Sequence, residues 1–156
     1  MDNSASHVTA ESRLTTFLAR FDPGVRAIAV DVRDRLRQRL PGAIEMVYDN
    51  YNALVIGYSP TERVSDAVFS IAIYPRWVNL FFLNGVGLPD PENLLQGEGN
   101  VVRHIRLDDP ALLDKPAIKT LMKHALKRME TPFDKDASGK LIIKSVAPKQ
   151  RSRRPS

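Results

Sequence analysis

The sequence predicts an α+β domain of two layers, in which an antiparallel sheet of about five or six strands packs against two N-terminal helices and one C-terminal helix. Three observations carry that expectation. Before Pro41 the apolar residues recur at spacings of three and four, which lines them along one side of a helix. Between Ala43 and Gly85 the chain changes to short runs rich in β-branched and aromatic residues, separated by turn-forming clusters. After Pro116 the helical spacing returns.

The elements follow in order. Leu14, Phe17, Leu18 and Phe21 form one side of a first helix beginning near Thr9. Asp22 is suited to cap a second helix and Pro23 to open it. That helix carries the stripe Val25, Ile28, Ala29, Val32, Leu36 and Leu40, with Arg26, Arg33, Asp34 and Arg37 largely on the other side. Pro41 and Gly42 end it, because proline disfavours helical geometry in the residue before it.

AIEMVYDN, NALVIGYS, AVFSIAIYP and RWVNLFFLNG then read as four antiparallel strands separated by DNYN, SPTERVSD and PR. In the third, Val68, Ser70, Ala72 and Tyr74 alternate with Phe69, Ile71 and Ile73, so one face of the sheet is small or polar and suited to solvent or a cleft. Pro89 and Pro91 interrupt, and GEGN leads into VVRHIRL, a fifth strand in which Val101, Arg103, Ile105 and Leu107 alternate with Val102, His104 and Arg106. PAIKTLMKHALKRM makes a third helix on the stripe Ile118, Leu121, Met122, Ala125, Leu126 and Met129, with Lys115, Lys119, Lys123 and Lys127 in a basic row beside it. Leu141 to Val146 offer a last strand.

The organisation expected is a flexible N-terminus over residues 1–8, one domain over 9–146 and a disordered basic tail over 147–156. The formal charge of +5 belongs largely to that tail, since KQRSRRPS holds four positive charges and no negative one. No apolar run approaches the roughly 20 residues that cross a bilayer, so no membrane partner is expected. The beginning, MDNSASHVTAESR, lacks the basic and apolar regions of a secretory signal, and the absence of cysteine agrees with a reducing cytoplasm, which is the expected location.

LRQRLPGAIEMVYDNYNALVIGY, FSIAIYPRWVNLFFLNG, LLQGEGNVVRHIRLDD and the helix start PAIKTLMKHAL together resemble the YdhG-like domain family. The resemblance covers roughly Leu14 to Met129; its marks are the helix ending LPGAIE, the strands through IAIYP and VNLFFLNG, and the glycine-containing entry to the strand RHIRL. It implies an intracellular α+β domain, some members of which are described as frataxin-like iron chaperones, and it implies no catalytic set. Iron is therefore a possible cargo by resemblance alone, and no cofactor is otherwise expected.

For chemistry, LQGEGNVVRH supplies neither a P-loop nor a dinucleotide fingerprint. The plain reading of Gly97 and Gly99 is a tight bend or bulge entering a strand; the functional one is a ligand loop whose N–H groups are assisted by Arg103 or Arg106. His104 is the one histidine in a well-patterned strand, and His7 and His124 complete no metal triad with it. Glu45, Asp49 and His104 are the weak metal candidates, although Glu45 and Asp49 share a strand face about 13 Å apart, too far to chelate one ion unaided. No nucleophile elbow, paired-acid signature or HExxH motif is present, so the expected role is binding rather than catalysis.

The expected ligand surface is the polar sheet face edged by Tyr74, Trp77, Asn79, Gly97, Gly99, Arg103 and His104, for an unidentified small molecule or ion, or a protein partner. Nucleic acid is expected only as a weak, salt-dependent contact through the tail and the lysine row.

Overall fold

A computed structural model describes residues 8–155 of the chain. His7 and most of the N-terminus expected to be flexible lie outside the described residues. The element order is α1 (Ala10–Leu18), α2 (Pro23–Arg39), β1 (Ile44–Asp49), β2 (Leu54–Ser59), β3 (Phe69–Ile73), β4 (Val78–Phe82), β5 (Arg103–Arg106), α3 (Pro116–Lys127) and β6 (Lys140–Val146), with short 3-10 turns at Val64–Asp66 and Pro110–Asp114. The α+β class and the helical layer of three helices are as the sequence predicts.

The helix starts follow from local chemistry. Thr9 and Ser12 exchange side-chain-to-backbone hydrogen bonds at 3.0 Å in a reciprocal cap, which satisfies two N–H groups that α1 would leave open. At α2 the prolyl start is in place, but Asp22 makes no side-chain cap bond; its carboxylate instead accepts from Arg154 Nη1 at 3.1 Å. Gly42 ends α2 with φ +84°, and a Cβ there would stand 1.9 Å from the carbonyl oxygen of Asp134, so this turn admits no side chain.

The six strands form one sheet in the order β5-β4-β3-β2-β1-β6. The first five make an antiparallel meander, and β6 departs from the all-antiparallel expectation by running parallel to β1, Ile44 against Lys140 and Asp49 against Val146. The reason is the route of the chain: α3 returns it across the helical layer to the end where β1 starts, and a parallel neighbour is what such a crossover delivers. The fifth strand is also shorter than VVRHIRL, because pairing with β4 begins at Arg103 and leaves Val101 and Val102 exposed.

The core lies between one sheet face and the helices. Val47, Leu54, Ile56, Tyr58, Phe69, Ile71, Ile73, Leu80 and Phe82 of the sheet are sealed by Leu14, Phe17, Phe21, Val32, Leu36, Ile118 and Leu121. Phe69 and Phe82 meet edge to face with centroids 5.4 Å apart. No helix among the described residues is long and apolar enough to cross a membrane.

The basic segment after Val146, expected to be disordered, is folded back on the domain. Ala147 N donates to Asp49 O at 2.8 Å and Arg151 N to Tyr51 O at 2.9 Å, and Arg153 is 4% exposed. Asp49 pairs Arg153 and Asp22 pairs Arg154, and these ion pairs together with the two backbone hydrogen bonds hold the segment despite its remaining positive charge.

Three carboxylates make stability pH-dependent, one of them Glu62, which the hydrogen bond from Lys140 holds below the usual carboxylate range. The hydrogen bond from Arg33 holds Glu11 below the usual carboxylate range, and the hydrogen bond from Arg35 does the same for Asp114. A carboxylate whose folded pKa is depressed stabilises above its unfolded pKa, about 4, and loses that contribution as pH falls through the folded value. Tm is therefore expected to hold from neutrality to about pH 5 and to fall below about pH 4, with E11Q and D114N flattening the decline. Melting curves across this window check it; equal acid slopes in wild type and E11Q/D114N would refute the assignment.

Candidate functional site

Strand alternation sends every second side chain of the sheet to the face without helices. Two rungs cross it in register: Met46, Gly57, Ser70, Phe81 and His104 in one, and Tyr48, Val55, Ala72, Asn79 and Arg106 in the other. The middle positions are small, while the β4–β5 side carries large aromatic and cationic groups.

At the β3–β4 turn Tyr74 N donates to Trp77 O at 2.9 Å, which closes the turn and places the two rings side by side, 5.4 Å apart with planes tilted by 32°. The guanidinium of Arg106 lies 5.2 Å from the Trp77 ring centroid, and its Nε donates to Asp108 Oδ1 at 2.8 Å. One rung away the His104 ring stands 5.3 Å from that of Phe81. Tyr74, Trp77, Phe81 and His104 are half-buried, and Asn79 sits low between them at 8% exposure. Burial raises the pKa of Tyr74 and Tyr48, so both hydroxyls are donors at neutral pH. Tyr48 Oη is buried without a hydrogen-bond partner among the described residues, a costly state for a hydroxyl unless an acceptor reaches it.

Four of the expected ligand residues, Tyr74, Trp77, Asn79 and His104, thus converge on one face. Arg103 does not join them. It has the parity of buried Ile105, and its Nη1 donates back to Gly99 O at 2.5 Å and Val102 O at 2.8 Å, clamping the loop instead of reaching the rings. Gly97, at φ +123°, is the bend that lets Gln96 exchange backbone hydrogen bonds with His104 at 2.8 and 2.9 Å; Gly99 is exposed and its backbone does not require glycine. The loop behaves as the entry to an edge strand. Phe81 and Arg106 were missing from the expected surface, although the parity of His104 already points to Arg106.

The weak metal candidates point elsewhere. Glu45 and Asp49 have the parity of Val47 and face the helices. Glu45, 4% exposed, accepts from Arg33 Nε and Nη2 and from Tyr58 Oη, each at 2.9 Å, with Arg37 Nε at 3.6 Å. Arg33 also donates to Glu11 at 2.7 Å, so α1, α2 and the sheet share one network. Burial and the adjacent Glu45 push the Tyr58 pKa far up, which keeps it a neutral donor. Asp49 is held by Arg153 at 2.8 Å and Arg20 at 3.4 Å. His104 lies on the opposite face from both, and no group of three metal-ligating side chains converges among the described residues.

A concavity of about 400 Å³ opens where α2 ends and β6 begins, walled by Glu11, Asp34, Arg37, Glu45 and Lys140. It is the mouth of the Glu45 network and lies on the side away from the aromatic face. Comparison with protein-family models, curated proteins and solved structures finds no match.

Proposed function

We propose that this chain is a non-catalytic binding domain whose ligand is a small planar molecule lying on the helix-free sheet face. One observation carries the reading: Tyr74, Trp77 and Arg106 form a stacked group at one side of a face whose middle is floored by Gly57, Ser70 and Ala72. Partly exposed rings supply flat contact area at little entropic cost, and Asn79 and His104 supply the few polar contacts that orient a ligand. Kinship with the YdhG-like domains is part of this proposal, supported by the quoted motifs and by the α+β architecture. Iron carriage, the role described for some of those domains, would draw on Glu45 and Asp49, which here are occupied by arginines. The aromatic face is therefore the better supported site.

Trp77 is the sole tryptophan, so its emission reports on this face. Titration with adenosine, caffeine and nicotinamide is expected to quench that emission for at least one compound and to raise Tm, as any ligand preferring the native state must. Tyr74→Ala is expected to weaken binding roughly fivefold to tenfold, the value of one stacking contact. If none of the three compounds moves either the emission or the Tm at millimolar concentration, the proposal falls.

A further inference from the structure

The ends of β1, β3 and β5 lie on one rim of the sheet, because these three strands run in the same direction in the meander. That rim carries the β1–β2 turn with Tyr51 and Asn52, the β3–β4 turn with Tyr74, Arg76 and Trp77, and Arg106 at the end of β5. The C-terminal segment docks on the same rim: Arg151 N donates to Tyr51 O at 2.9 Å and Arg151 Nη1 to Asn52 Oδ1 at 3.3 Å. Basic residues remote in sequence are thereby brought to the same rim as the aromatic group, two strands along the sheet from it.

Not all of this charge is compensated. Arg106 and Arg154 face Asp108 and Asp22, and Arg153 is buried against Asp49. Arg76, Lys149 and Arg151 have no carboxylate within 4.0 Å among the described residues, and all three are exposed. Tyr51, whose carbonyl accepts from Arg151 N, is 53% exposed. Three unpaired cations thus share one rim with the exposed Tyr51 and the partly exposed Tyr74 and Trp77, a set that complements a flexible polyanion that also presents flat faces.

We infer that the occupant is a single-stranded nucleic acid, its bases stacked on Trp77, Tyr74 and Tyr51 and its phosphates facing Arg76, Lys149 and Arg151. This rests on the ligand-face reading above: the small planar group that the face takes is a nucleobase, carried on a strand whose phosphates meet the three cations. A duplex fits less well, since its base faces are stacked on one another and unavailable to the rings. Three phosphate contacts predict a logarithmic salt slope of about −2, or a loss of roughly 20-fold in affinity between 50 and 200 mM salt.

The test uses the full chain with oligothymidylate and oligouridylate of about twelve nucleotides, within the site sizes of single-strand platforms, beside a duplex and polyglutamate as comparators. Both single strands are expected to quench Trp77 with the stated salt slope, the duplex to bind at least tenfold more weakly, and R76A/R151A to bring the slope to about −0.7, the value of one remaining contact. Arg76 and Arg151 lie on the surface, so this variant keeps the fold, and an unchanged Tm verifies that. Equal binding of polyglutamate, a duplex that binds as well, or an unchanged slope in R76A/R151A overturns the inference. If an uncharged planar compound quenches Trp77 and the oligonucleotides do not, the inference falls and the ligand face stands; if nothing quenches, both fall.

Discussion

Replacing Arg153 by alanine is expected to lower Tm by on the order of 10 °C, the effect of losing about 3 kcal/mol from a domain of this size. Arg153 lies three residues from the C-terminus, yet its side chain is 3% exposed and that of Asp49 only 1%. Its Nη2 donates to Asp49 Oδ1 at 2.8 Å and Asn50 O at 2.5 Å, Nη1 donates to Tyr51 O at 3.2 Å, and the guanidinium lies 5.8 Å from the Phe21 ring. Removing one partner of such a pair leaves the other charge buried, and among the described residues only Arg20, half-exposed and at 3.4 Å, remains for Asp49. The low end of the usual range therefore applies.

The pair itself is not strongly favourable, because taking both charges out of water costs nearly what their attraction returns, and Arg153 Nε is buried without a partner. D49L/R153M is accordingly expected to recover most of the Tm lost in R153A, and truncation after Val146 to destabilise about as much as R153A. Differential scanning calorimetry of the four proteins settles it. If R153A melts with the wild type, the last residues do not anchor the chain.

What the sequence made legible divides along a physical line. Helices α1, α2 and α3 and strands β1 to β4 were readable because their period is local and their burial one-sided. The direction of β6 was not, since it depends on where α3 releases the chain and leaves no mark in Leu141–Val146. Nor was the fate of the tail: a run of like charges reads as disordered when Asp49, the acid that buries Arg153, lies 104 residues away from it. In the site, alternation brought Tyr74, Trp77, Asn79 and His104 together and should have excluded Arg103, which shares parity with Ile105. Glu45 and Asp49 carried a similar warning, because acids in phase with Val47 face the helical layer, and Arg33 and Arg37 stand one turn apart on α2.

Glu45→Ala is expected to be the other severe change, at about 3–5 kcal/mol, because it strands two buried donors at once. Arg33, whose side chain is 12% exposed, loses both hydrogen bonds to Glu45, and Tyr58, fully buried, loses its only hydroxyl partner among the described residues. The remaining contact of Arg33 is with Glu11, a half-exposed carboxylate that solvent screens. Tyr58→Phe removes one hydrogen bond and leaves Glu45 held by Arg33, so it is expected to cost only about 1 kcal/mol. Glu45→Gln keeps the shape and an acceptor but not the charge, which places it between the two. In E45A/Y58F the unpaired hydroxyl is gone, so the double variant should lose less than the sum of its parts, a coupling that urea unfolding measures directly. The ranking also separates two roles for the residue. A Glu45 serving chiefly as a metal ligand would leave the metal-free protein almost as stable after E45A as before, whereas a Glu45 that neutralises Arg33 makes E45A the least stable of the series with no metal present.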